Sequence, residues 1–78
     1  MRKKVDRMNI IIGQSMKLER EKAGKTIEWM AEQLNKSKST VSRWENGICE
    51  IAAIDMISYL DVLFVDIDDF IERLPRIL

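Results

Sequence analysis

Lys38, Ser39, Ser42 and Arg43 lie close together in the chain, with Thr40 between them. On a helix, spacings of one, three and four residues bring the four to one side. All are polar, none is acidic, and each can donate a hydrogen bond. Lys and Arg donate to guanine O6 and N7, and hydroxyls serve several base edges. Such a face suits the reading of base edges in the major groove of B-DNA, not the making or breaking of bonds. Residues for bond chemistry are scarce. The chain has no His and a single Cys, Cys49. It therefore lacks the commonest general base, an internal disulfide and a Cys-rich zinc site. It has no Gly-rich phosphate loop and no convincing nucleophile beside a base. No enzyme activity, metal, cofactor or small-molecule ligand is expected.

The polar face must be presented by a short helix, and the flanking sequence supplies one. Ser37 is placed to cap a helix over 38–45, with Val41 and Trp44 inward and Asn46-Gly47 as its end. Thr26 caps a helix over 27–34, whose inward face is Ile27, Met30, Ala31 and Leu34. Only Asn35, Lys36 and Ser37 separate the two, so they must cross steeply. Ala31 is small enough for that crossing, and Asn35 tolerates a left-handed backbone. Before them, Asn9 is read as the cap of a helix over 10–23, with Ile12, Met16, Arg20 and Ala23 on one face and Gly24 as its stop. After them, a helix is expected over 53–63, with Ala53, Met56, Ile57, Leu60 and Leu63 inward. The last runs over 67–74, capped by Asp66, striped by Ile67, Phe70, Ile71 and Leu74, and ended by Pro75. The fold class is all-α, a compact five-helix bundle. Residues 1–8 form a basic N-terminal arm, flexible or following the DNA backbone. Residues 9–78 form one domain.

The chain has 78 residues and a formal net charge of zero, which conceals an asymmetry. Residues 1–46 carry 11 basic and 6 acidic residues, a net +5, while residues 47–78 carry 2 basic and 7 acidic residues, a net −5. The first part is therefore the one expected to meet a polyanion. The apolar run Ile10-Ile11-Ile12 is too short for the core of a signal peptide. Five carboxylates interrupt residues 51–70, so no membrane span is expected there. A cytoplasmic location is the default reading.

Two strings carry a family resemblance: Met30-Ala31-Glu32-Gln33-Leu34-Asn35, and Ser39-Thr40-Val41-Ser42-Arg43-Trp44-Glu45-Asn46-Gly47. With the C-terminal Val65-Asp66-Ile67-Asp68-Asp69-Phe70, they make residues 12–70 resemble the phage repressor and Cro-type helix-turn-helix family, also called the XRE-type family. The resemblance implies a lambda-repressor-like fold that binds operator DNA, usually as a two-fold dimer. It implies base contacts for Lys38, Ser39, Thr40 and Arg43. It implies phosphate contacts for Thr26, Ser37 and Asn46, and Lys36 and Ser42 complete the backbone-contacting set. It also implies a structural pair of Arg20 and Glu45. Ile27 stands where many relatives carry a Gln that helps position DNA, Asn35 replaces the usual turn Gly, and Trp29 replaces a polar residue.

The apolar inventory exceeds one small core. Ile54, Tyr59, Val62, Ile71, Leu74, Ile77 and Leu78 are the candidates for a two-fold homodimer contact. The leading reading is a sequence-specific, repressor-like transcriptional regulator that binds double-stranded operator DNA as a homodimer. The alternative is a protein-interaction module, such as an antitoxin or antirepressor subunit on the same scaffold.

Overall fold

A computed structural model describes the backbone of residues 2–75 and the side chains of residues 7–75. Five helices follow one another: α1 (Arg2–Lys22), α2 (Ile27–Leu34), α3 (Lys38–Glu45), α4 (Ala53–Val62) and α5 (Ile67–Arg73). There is no strand among the described residues. The core is Met16, Met30, Ala31, Val41, Trp44, Tyr59, Leu60 and Phe70, drawn from all five helices.

Three expected caps form. The side chains of Thr26, Ser37 and Asp66 accept from the backbone amides of Trp29, Thr40 and Asp69. Each satisfies one of the amides that a helix start leaves without an intrahelical partner. The helix ends share a second device. In α1, α2, α3 and α4 the closing residue is left-handed: Gly24, Asn35, Gly47 and Phe64, with φ of 72°, 56°, 68° and 59°. The next amide in each case reaches back to a carbonyl five residues earlier, as in Lys25 to Arg20 and Lys36 to Ala31. This double-bonded cap is normally closed by Gly, sometimes by Asn. Phe64 is the exception. A left-handed residue with a Cβ costs about 1–2 kcal/mol.

Several expectations need correction. Helix α1 begins at Arg2, not Ile10. Asn9 is therefore an interior residue and not a cap, and residues 2–8 belong to the helix. Long unbranched Arg, Lys and Met side chains favour the helix there, and no Gly or Pro stops it. Ala23 is exposed, beyond the end of α1. In α4, Met56, Leu60 and Leu63 pack inward as expected, but the face is rotated so that Tyr59 joins them and Ala53 and Ile57 are exposed. Tyr59 is wholly buried, while Ile57 is exposed. The inward stripe is Met56, Tyr59, Leu60 and Leu63, with Tyr59 and Leu60 buried and the other two half-buried, also an i, i+3, i+4, i+7 set. Helix α5 ends at Arg73. Leu74 is extended, as the residue before a proline is pushed to be.

Candidate nucleic-acid interface

The turn between α2 and α3 is built by Asn35, at φ 56° and ψ 45°. Its amide and that of Lys36 bond back to Glu32 and Ala31. Ser37 is extended and starts α3 at once. Val41 and Trp44 then bury in the core, which leaves Lys38, Ser39 and Arg43 exposed and Thr40 and Ser42 half-buried. Ile27, Lys38, Ser39, Ser42 and Arg43 line one shallow depression where α3 meets the start of α2.

Not every candidate joins that depression. The Thr40 hydroxyl lies 2.9 Å from that of Ser37. Lys36 turns towards α4, its Nζ 3.8 Å from Asp55. Asn46 donates its side-chain amide to the Ser42 carbonyl at 2.9 Å, and so closes the end of α3. The Thr26 hydroxyl oxygen accepts from Trp29 N at 3.0 Å, which leaves its proton free to donate. Lys25 Nζ stands 4.5 Å from the centre of the Trp29 ring, so the half-buried indole holds a cation at the start of α2. Lys38 Nζ lies 3.0 Å from Glu28 Oε2. That hydrogen bond, chiefly, holds the Glu28 carboxyl below its usual range. Arg43 makes no ion pair among the described residues.

Behind this face lies a buried polar cluster. Arg20 donates Nε to Glu45 Oε2 at 2.8 Å and Nη2 to Oε1 at 3.0 Å. Its Nη1 donates to the Lys25 carbonyl at 2.8 Å. Tyr59 completes the cluster from α4. Its hydroxyl donates to Glu45 and lies 3.1 Å from the Met16 carbonyl. Burial first, and then the Glu45 carboxylate, push the Tyr59 phenol far above its ordinary range. Hydrogen bonding to Glu45 raises the Arg20 guanidinium further. Side chains of α1 and α4 thus converge on one carboxylate at the end of α3, and no buried polar side-chain atom is left unpartnered among the described residues.

Two residues that the sequence did not single out fix α3 against α1. A Cβ on Gly13 would meet the Trp44 carbonyl oxygen at 2.2 Å. Gln14 Nε2 donates to the Glu45 carbonyl at 3.0 Å. An isolated Gly inside a helical pattern was the available signal.

The dimer candidates are dispersed. Tyr59 is corrected from interface to core, because its ring and hydroxyl are both used inside the protomer. Val62 and Leu74 are half-buried against the core. Ile54 and Ile71 are exposed, as are Ile57 and Phe64, two residues not expected there. Phe64 is 96% exposed, with its ring almost fully in solvent. Ile77 and Leu78 lie outside the described residues, as do the side chains of Arg2, Lys3 and Lys4.

A three-residue turn between two helices, a polar and cationic second helix facing out and a buried brace behind it define a DNA-binding helix-turn-helix regulator with a lambda-repressor-like fold. The helix-turn-helix family profile matches residues 16–70, and the chain belongs to that family, in its XRE or Cro type. No curated protein and no solved structure matches the chain. No helix among the described residues is long and apolar enough to cross a membrane.

Proposed function

We propose that the protein is a sequence-specific, repressor-like transcriptional regulator of the cytoplasm that lays α3 in the major groove of operator DNA. The observation that carries this reading is the outward face of α3. Lys38, Ser39 and Arg43 are exposed, a buried brace fixes their helix, and α3 adds no acid to the face. Lys38, Ser39, Thr40 and Arg43 take the base-edge roles. Thr26, Lys36, Ser37, Ser42 and Asn46 take the backbone roles. Phosphate contacts supply affinity that falls with salt, and α3 supplies selectivity.

The working unit is a two-fold homodimer joined through α4 and α5, which sets the two α3 helices about 34 Å apart. Support comes from Phe64. The left-handed backbone of Phe64 costs the lone protomer free energy that its exposed ring does nothing to recover, and strain of that kind persists where function uses it. Phe64 forms one wall of a shallow depression otherwise lined by Ile57, Leu60, Val65 and Ile67, with Asp61 and Asp66 at the same site. One surface thus offers both a knob and a hole, as a two-fold contact requires.

The test is a duplex titration at several salt concentrations, with sedimentation in parallel. Steeply salt-dependent binding and a dimer on DNA are the expected results. Salt-independent or absent binding would return the chain to the class of protein-interaction modules. A strict monomer at high micromolar concentration, with and without DNA, would remove the dimer.

A further inference from the structure

The ion pair between Glu28 and Lys38 spans α2 and α3 at the edge of the α3 depression. Its side chains are 66% and 64% exposed. An exposed pair of this sort contributes little to stability, with a median near zero to 1 kcal/mol. The pairing itself therefore adds little to the fold. The place of Glu28 in the first turn of α2 is one the helix dipole favours for a carboxylate, but that place also borders the cationic face of α3. Glu28 sits two residues after Thr26, beside a surface otherwise lined by cations and hydroxyls, where a bare carboxylate would repel phosphates. Paired with Lys38, its charge is balanced, and Oε2 lies 3.0 Å from the ammonium.

A carboxylate only accepts hydrogen bonds, and an ammonium only donates them. In the major groove, a G·C pair shows the guanine O6 acceptor beside the cytosine N4 donor. Those two atoms are hydrogen-bonded to each other, and so are Glu28 Oε2 and Lys38 Nζ, at 3.0 Å. We propose that Glu28 and Lys38 read a single G·C base pair as a unit, with Lys38 donating to guanine O6 and Glu28 accepting from cytosine N4. This rests on the reading that α3 enters the major groove.

The pattern rejects the other pairs for stated reasons. A·T and C·G, placed in the same orientation, turn an amino donor towards the ammonium and an oxygen towards the carboxylate. T·A keeps the oxygen and amino order, but it sets the thymine methyl beside Lys38 and the adenine N7 acceptor beside Glu28. G·C alone offers a second acceptor, guanine N7, on the lysine side. Glu28 is thus a specificity-determining residue and Lys38 its partner.

The experiment compares wild type, Glu28→Ala, Glu28→Gln, Lys38→Ala and the double variant Glu28→Ala/Lys38→Ala. The DNAs are the operator selected by the wild type and its single-base-pair changes. Thermal melts confirm that each variant folds, as expected for exposed positions. The expected result is that Glu28→Ala and Lys38→Ala lose preference at the same G·C pair. Each should lose on the order of tenfold or more, and the double variant should lose no more than either single one. Glu28→Gln, which can donate as well as accept, should retain only part of the preference. Two results would overturn the inference alone. One is a Glu28→Ala variant that binds every duplex more tightly with its preferences intact, as simple removal of a negative charge would produce. The other is relaxation by Glu28→Ala and Lys38→Ala at different base pairs. A wild type that selects no site overturns this inference and the regulator reading together.

Discussion

Two carboxylate–cation pairs tie α3 to its neighbours, and burial separates their roles. Arg20 and Glu45 meet inside the protein through two hydrogen bonds, with Tyr59 as a third partner. Glu28 and Lys38 meet in solvent through one. In the interior, neither charge has water to fall back on, so the pair must persist for as long as the fold does. At the surface, water can replace either partner, and each side chain keeps hydrogen-bonding capacity beyond the pair. The same chemistry thus makes a scaffold on one side of α3 and, on the reading proposed above, a recognition surface on the other. Trp44 and Val41 divide the two sides.

The comparison can be broken by changing one side at a time. The largest effect is expected at Glu45. Glu45→Ala leaves Arg20 charged and buried, and should destabilise the fold by about 3–5 kcal/mol, as read by denaturant unfolding. A loss under 1 kcal/mol would mean that the pair does not brace α3. Lys38→Ala and Arg43→Ala should do the opposite. Each is expected to leave the unfolding midpoint within experimental scatter, yet to weaken operator binding by about 1–3 kcal/mol and relax preference at its own base pair. Equal losses on random and selected duplex would move these side chains from bases to phosphates.

Phe64→Gly sharpens the contrast between stability and use. Relief of the left-handed strain should stabilise the protomer by about 1 kcal/mol, while loss of the ring should weaken self-association in sedimentation. A variant that gained no stability, or that dimerised as before, would remove the functional reading of that residue. The smallest effect concerns pH. The folded phenol of Tyr59 titrates above its unfolded value, so its contribution is complete below the unfolded pKa of about 10. It should be lost progressively as pH rises from there towards the folded value. Wild type should therefore lose stability faster than Tyr59→Phe in alkaline unfolding titrations. Parallel curves would show that the buried phenol ionises freely.

The elements around the turn were legible because their signals are local. Thr26, Ser37 and Asp66 cap through neighbours three residues away, and Asn35 closes α2 through its own backbone. These interactions need no tertiary context, so the bounds of α2 and α3 could be read directly. The start of α1 could not, because Asn9 has the composition of a cap but lies in a stretch where nothing interrupts the helix. Helix α4 misled for another reason. It is apolar on several sides, so more than one stripe fits its pattern. What selects Tyr59 over Ile57 is the need of the buried Glu45 for another donor, a fact written 14 residues earlier in the chain. Gly13 and Phe64 were missed for related reasons. The close approach of α1 to Trp44 and the left-handed end of α4 depend on how helices meet, and residue type alone does not reveal that.

The central claim is that the exposed side of α3 reads base pairs, and selection of bound duplexes from a random pool tests it most directly. The account predicts an enriched site with two half-sites related by two-fold symmetry, about one helical turn apart. It also predicts that the preference at one position in each half-site changes when the selection is repeated with Arg43→Ala. A pool recovered with no enrichment, or a site whose every position is preferred equally by wild type and variant, would contradict it.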